Sequence, residues 1–205
     1  MTSFEILQGL QLPLLLFTLL ATFTPGPNNI FLTLSGSQYG YRRSIPFILG
    51  IRIGIALLFI VMGSGVGALV VAEPRAYFGF KLLGAGYLIF LAIKVALTSH
   101  NLKADKQVPW LGIKQGILLQ FVNPKSMLMV LSCVSAFSLP GDLYIISLVQ
   151  ACVIFTVVGT FSNCCWVFFG KSINRCLSTP LAQTVFNYSL ALLMLVAVAL
   201  LFIDK

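Results

Sequence analysis

The chain has 205 residues, of which 59% are hydrophobic and 9% are charged, and its formal net charge is +8. Soluble domains carry about 25% charged residues, so this composition excludes a soluble globular protein and predicts an integral membrane protein. The basic residues lie mainly in short segments between long apolar runs, where they report membrane orientation, so the positive charge does not predict nucleic-acid binding.

Six apolar runs are long enough to cross a hydrocarbon core of about 30 Å as helices. They are continuous rather than alternating, which predicts an all-α membrane protein. In chain order they are 10–34, 44–70, 77–98, 112–137, 143–169 and 182–203. We expect a single transmembrane domain over 1–205, built from a first repeat of three spans (about 1–98) and a second (about 112–205). Because three is an odd number, the two repeats should be inverted relative to each other.

The first span is interrupted near its middle by the motif Thr24-Pro25-Gly26-Pro27-Asn28-Asn29. Pro25 and Pro27 remove backbone donors and open the helix, and Gly26 permits unusual backbone angles and the close approach of a ligand. Where the helix restarts, at about Asn28, its unpaired N–H groups favour an anion such as a carboxylate. The carbonyls freed before the break suit an ammonium group. The side chain of Asn29 adds further hydrogen-bonding groups.

The second and third spans carry polar residues that each have two interpretations. Arg52 either snorkels to the cytoplasmic surface or lines the transport pathway. Lys81, near the outer end of span three, could equally snorkel or face the pathway. Tyr87 is either a packing aromatic or a wall of the site.

The fourth span is interrupted at Asn123-Pro124-Lys125. A lysine at this depth costs roughly 3 kcal/mol on insertion scales, so it should face a wet cavity or a partner, for which a substrate carboxylate is suitable. Gln120 lies one turn earlier, and it could equally belong to the site or lie outside it. A pair of broken helices at corresponding positions of two halves is typical of a transporter binding site. The alternative is that the prolines only kink the helices for packing.

The fifth span contains Asn163, which either reaches the cavity or bonds a neighbouring helix. The chain has five cysteines without a Cys-x-x-Cys pair and a single histidine, His100, so we predict neither a metal site nor a cofactor. No Asp or Glu lies in the middle of any span, so a buried carboxylate relay for protons is not expected.

Lysine and arginine counts predict the orientation. The connectors 35–43, 99–110 and 170–180 hold six of these residues, whereas the opposite side holds Arg75 and Lys205. The first set should therefore be cytoplasmic, with both termini in the periplasm of a bacterial inner membrane. The expected partners are membrane lipid and a small amino-acid substrate. The sequence does not decide whether the protein forms a homo-oligomer.

Three motifs together resemble the LysE/RhtB family of bacterial amino-acid exporters. They are Thr24-Pro25-Gly26-Pro27-Asn28-Asn29, Gly84-Ala85-Gly86-Tyr87-Leu88 and Gln120-Phe121-Val122-Asn123-Pro124-Lys125. The stretches 119–123 and 159–166 are most similar to the cysteine/O-acetylserine exporter branch. The resemblance implies a secondary exporter of small neutral amino acids or derivatives, working by exchange with protons. It places the substrate site at Pro25, Gly26, Pro27, Asn28, Asn29, Asn123, Pro124 and Lys125.

Other functions remain as alternatives. Within the same class, the exported solute could be homoserine or threonine, leucine, or a basic amino acid. A passive channel would also be wet inside, but it should conduct without saturation. An intramembrane enzyme would need a nucleophile with a base, or a metal, at membrane depth, and the spans contain no His, Asp or Glu for this role. We therefore do not expect an enzyme.

Overall fold

The computed structural model describes residues 7–65, 111–176 and 179–203, together with isolated positions between 73 and 96. This part of the chain is helical, and no strand occurs in it. A 3-10 turn, Gly141–Leu143, precedes the fifth of its main helices. These helices are α1 (Gln11–Phe23), α2 (Pro27–Gly63), α3 (Ile113–Val122), α4 (Pro124–Phe137), α5 (Tyr144–Cys176) and α6 (Pro180–Ile203).

Within the described residues, two helical segments are long and apolar enough to cross a membrane. They are Pro27–Gly63, which is α2, and Gly141–Ile173, which joins the 3-10 turn to most of α5. The pair formed by α3 and α4 would be a third crossing, bent by 71° at its break. Most of the predicted third span, 77–98, lies outside the described residues. The arrangement of six spans in two inverted repeats therefore stays a prediction.

One predicted connector, and the described first part of another, are helical in the structure. The segment 35–43 belongs to α2, which continues through it with a kink at Gly40 (φ 73°, ψ −179°). Glycine adopts this positive φ without steric cost, so the chain changes direction there without a loop. Similarly, α5 continues to Cys176 instead of ending near 169, because nothing between Gly170 and Cys176 excludes helix. Polar residues were therefore a poor guide to where these helices end.

The centre of the core is α2, which packs most extensively against α5 and α3. Two glycines, one on α2 and one on α5, show how close the backbones of these two helices are. A Cβ atom on Gly36 would collide with the carbonyl oxygen of Val167, and one on Gly170 would collide with that of Thr33. Small residues allow membrane helices to approach in this way. The largest fully buried side chains lie along the same helices: Phe31, Phe47, Phe59 and Phe155.

A second glycine contact fixes α3 against the same central helix. A Cβ on Gly50 of α2 would collide with the backbone of Ile113, and one on Gly116 of α3 would lie 2.7 Å from the carbonyl oxygen of Phe47. Because α3 leads directly into the second break, this contact determines where that break lies relative to α2.

We expect Gly36→Leu to destabilise the protein, because the added side chain meets backbone that cannot rotate away. Overpacking of a core costs about 1–3 kcal/mol, and a clash with backbone should reach at least the upper part of that range. The matched control is Gly9→Leu, since Gly9 has nothing within 4 Å of an added Cβ. Thermal unfolding of the detergent-purified protein should show a lower midpoint for Gly36→Leu alone. Equal midpoints for the two variants would refute the close packing of α2 on α5.

Candidate functional site

The first break lies between α1 and α2, where residues 24–26 are not helical. Gly26 is extended (φ −176°, ψ 179°), a conformation open to any residue, so the unusual backbone angles that glycine permits are not used here. Its missing side chain matters for a different reason. A Cβ atom there would lie 2.8 Å from Cδ of Lys125. Gly26 therefore leaves room for the lysine of the second break.

The second break is a single residue, Asn123, between the end of α3 at Val122 and the start of α4 at Pro124. Its side-chain Oδ1 accepts a hydrogen bond from the backbone N–H of Lys125 at 3.1 Å. This is an N-cap, in which a side-chain oxygen satisfies one of the unpaired N–H groups at a helix start. Pro124 at the first helical position needs no such partner because it has no N–H.

An amide pair joins the two breaks. Asn28 Nδ2 donates to Gln120 Oε1 at 2.8 Å, and Gln120 Nε2 donates back to Asn28 Oδ1 at 3.2 Å. Ser126 Oγ also donates to Gln120 Oε1 at 2.8 Å, and Asn123 Nδ2 donates to Asn28 Oδ1 at 3.4 Å. Gln120 is fully buried. Sequence analysis missed Ser126, whose signal was a small hydroxyl residue in the first turn after Pro124.

Asn29 closes the open end of α1. Its Nδ2 donates to the carbonyl oxygens of Thr22 at 3.0 Å and Thr24 at 2.9 Å. The hydroxyl of Ser162 on α5 donates to the Thr22 oxygen as well, at 3.0 Å. The amide nitrogen of Asn29 is therefore engaged with backbone, and its role in this arrangement is to hold the break in shape.

Lys125 reaches from the second break to the first. Its Nζ donates to the carbonyl oxygen of Thr24 and, at 3.3 Å, to that of Pro25. These are the carbonyls that the sequence assigned to the ammonium group of a substrate. In the structure the ammonium group that they bind is the protein's own.

Arg52 lies on α2 and is only 8% exposed. Its Nη1 donates to the carbonyl oxygen of Phe155 on α5 at 3.4 Å. With the Asn163 amide oriented so that both its ends are satisfied, Asn163 Oδ1 accepts from Arg52 Nη2 at 3.1 Å and its nitrogen donates to Gly159 at 3.1 Å. A buried head group held against α5 does not fit the snorkelling interpretation, in which the guanidinium would reach water.

A cavity lies between the breaks and this arginine. The space between its walls is about 350 Å³ when its opening to the surroundings is included, and the cavity proper is about 20 Å³, room for about one water molecule. Arg52, Phe155 and Asn163 form one wall. The two breaks contribute Gly26, Asn28, Asn29, Asn123, Lys125 and Ser126.

The remaining predicted site residues have other positions. Among the described residues, Pro25, Pro27, Pro124 and Gln120 shape the breaks but do not line this cavity. Lys81 and Tyr87 lie outside the described residues. The part of the chain that the structure describes contains no group of three or more His, Cys, Asp or Glu residues placed to hold a metal ion.

Gln120→Leu should destabilise the protein by about 1–3 kcal/mol, because it leaves the amide of Asn28 without its main partners in a buried site. The double variant Asn28→Leu/Gln120→Leu removes both amides, so its loss should be smaller than the sum of the two single losses. Thermal unfolding midpoints in detergent, measured for Asn28→Leu, Gln120→Leu and the double variant, give the three losses. Strictly additive losses would show that the two amides do not interact.

The chain is similar in sequence to known proteins. The family described as LysE type translocator matches residues 19–205. Relatives include the cysteine/O-acetylserine efflux proteins of Escherichia coli K12, Shigella flexneri serotype 5b and Shigella sonnei. Each is 31% identical over 159 residues, which cover 78% of this chain and 81% of the relative. No solved structure matches the chain.

The match confirms the family predicted from the three motifs, and the relatives confirm the likeness to cysteine/O-acetylserine exporters. These homologues are transporters and not enzymes. The chain belongs to the LysE type translocator family and is an integral membrane protein of amino-acid efflux.

Proposed function

We propose that the cavity between the two breaks binds a small neutral amino acid or derivative, which the protein exports from the bacterial cytoplasm as a secondary transporter. One observation carries this proposal. Lys125, which lines the cavity, donates to the carbonyls of Thr24 and Pro25, which precede the lining residue Gly26 in the first break. Together they are complementary to the two charged ends of an amino-acid zwitterion.

The proposed binding step is an exchange of partners. In the structure, the ammonium of Lys125 occupies the carbonyls of Thr24 and Pro25. An entering amino acid offers a carboxylate to Lys125 and its own ammonium to these carbonyls. The carbonyls thus hold one ammonium before and after binding, and no buried donor or acceptor loses its partner. Hydrogen bonds to charged groups contribute about 1.5–3 kcal/mol each, so such an exchange favours a zwitterion over an uncharged amine or acid.

The transport step that we propose is alternating access. The two inverted repeats, about 1–98 and 112–205, would rock about the two breaks, whose contact is the amide pair Asn28–Gln120. Both termini would lie in the periplasm. Proton exchange, which the family resemblance implies, has three candidate carriers: Glu73, Lys125 and the ionisable groups of the solute itself.

Efflux from proteoliposomes tests the proposal. Vesicles containing the purified protein are loaded with labelled cysteine, O-acetylserine, threonine, leucine or lysine, with and without a pH gradient. We expect saturable efflux of cysteine and O-acetylserine above that of protein-free vesicles, and acceleration by an inward proton gradient if protons are exchanged. Absence of efflux for all five solutes would refute the proposed function, whereas flux without saturation would indicate a channel.

A further inference from the structure

Two cations line the cavity, but the exchange described above uses one of them. Arg52 and Lys125 both belong to its walls. The chain has five acidic residues, and none lies inside a predicted span. The two that the structure describes, Glu73 and Asp142, are exposed. A zwitterion held by Lys125 and the backbone carbonyls would bring no net charge to Arg52.

The position of Arg52 is built into the fold. A Cβ atom on Gly159 would collide with its Nη1, so the glycine makes the room that the guanidinium occupies. The contacts described above, to Phe155 and Asn163, are to neutral oxygens. They use two of the five N–H donors of a group that stays charged. Among the described residues no acidic side chain is buried with this guanidinium. A buried charge without a counter-ion carries a large desolvation cost, which an anion entering the cavity would offset.

We propose that Arg52 forms an anion subsite, which receives a second negatively charged group while Lys125 receives the α-carboxylate. This inference rests on the proposed function. The negatively charged group that pairs with the guanidinium can come from two sources. It is either an acidic group on the side chain of the exported amino acid or a small inorganic anion that enters with a neutral amino acid. A guanidinium binds a carboxylate through two parallel hydrogen bonds, and it also pairs with a single halide ion.

Proteoliposomes with the wild-type protein, Arg52→Gln and Arg52→Lys distinguish these sources. Arg42→Gln is the matched control, because it removes an exposed arginine from the same helix. Efflux of labelled aspartate, cysteine and O-acetylserine is measured in chloride and in gluconate, which replaces the small inorganic anion with a bulkier organic one.

In the wild type we expect either aspartate efflux or a stimulation of neutral amino-acid efflux by chloride. Arg52→Gln should reduce that component at least about tenfold, the loss of one charge-assisted contact. Arg52→Lys should restore part of it, and Arg42→Gln should not change it. Efflux of the neutral amino acids in gluconate should be the same in the wild type and Arg42→Gln, and the anion-dependent component of each variant is expressed relative to its own rate in gluconate. The aspartate arm identifies a side-chain anion, and the chloride arm identifies a free one.

A second measurement needs no variant. Aspartate or chloride should raise the thermal unfolding midpoint of the wild-type protein in gluconate buffer, and this rise should be absent in Arg52→Gln.

Two results would overturn the inference while leaving the proposed function intact. One is wild-type efflux of cysteine and O-acetylserine with no aspartate efflux and no effect of chloride on efflux or stability. The other is an equal loss of all solutes in both salts for Arg52→Gln, which would make Arg52 a structural link between α2 and α5. If the wild-type protein exports none of the amino acids, the proposed function and the inference fail together.

Discussion

Replacing Lys125 with alanine should lower amino-acid efflux by on the order of 10- to 150-fold. The substitution removes the charge that would bind the substrate carboxylate, and charged hydrogen bonds contribute about 1.5–3 kcal/mol. It also removes the ammonium of Lys125 from the carbonyls of Thr24 and Pro25, of which Thr24 keeps the hydrogen bond from Asn29. Initial efflux rates from proteoliposomes, normalised to the amount of reconstituted protein, give the fall directly.

Lys114→Ala is the matched control for this loss. Lys114 lies in the first turn of α3, the helix that leads to the same break, and is exposed, so its removal should leave efflux unchanged. Lys125→Arg keeps the charge but enlarges the head group, and partial function at best is expected. Normal efflux by Lys125→Ala, in protein that elutes as a single species in detergent, would remove Lys125 from the site.

Gly26→Leu should abolish efflux for a steric reason. Even the first added carbon would lie 2.8 Å from Cδ of Lys125 and 3.1 Å from its Nζ, and the rest of the leucine must enter the cavity that Gly26 lines. The lysine side chain is flexible and can move away, so the fold should survive while the site is filled. Efflux assays should therefore show no signal above protein-free vesicles, with an unfolding midpoint close to that of the wild type.

Gly9→Leu adds the same side chain to the described helical segment that precedes the first break, where nothing lies within 4 Å of the new Cβ. Its efflux should equal that of the wild type. A Gly26→Leu protein that transports normally would show that the first break does not form a wall of the substrate site. A Gly26→Leu protein that fails to fold would instead show that the break has no room to adjust.

The sequence predicted both interruptions because proline acts locally. Pro27 and Pro124 are each the first residue of a helix, the position where a missing N–H has no cost. The cost of a lysine in an apolar span likewise indicated a polar surrounding for Lys125. These inferences need only the residue and its neighbours in the chain.

Contacts between the breaks could not be predicted in the same way. Asn28 and Gln120 are 92 residues apart, and nothing in the chain around either one specifies the other. The partner of Lys125 could not be predicted either. Its ammonium was expected to bind a substrate carboxylate, but in the structure it donates to the carbonyl of Thr24. With one sequence, the pairing of complementary groups from distant segments remains open until the packing of α2, α3 and α4 is known.

The position of Arg52 along its predicted span did not determine whether its side chain is buried. Its distance along the helix allowed either snorkelling or burial, and the deciding feature was the gap at Gly159 on another helix. The helix boundaries failed for a related reason, since α2 crosses the polar segment 35–43 with a kink at Gly40. Polar composition predicted a connector there, but only Arg42 and Arg43 of this segment are exposed, and the helix continues through it.

The central claim is that the carboxylate of the exported amino acid binds Lys125 between the two breaks. Solid-state NMR can measure this contact between carboxyl-¹³C cysteine and ¹⁵N-labelled lysine side chains of the protein in lipid bilayers. We predict a dipolar coupling that corresponds to a carbon–nitrogen distance of roughly 3.5 Å, because the nitrogen–oxygen separation in a charge-assisted hydrogen bond is about 2.8 Å. It should be absent in Lys125→Arg. Cysteine that is bound and transported with no such coupling in the wild type would contradict the claim.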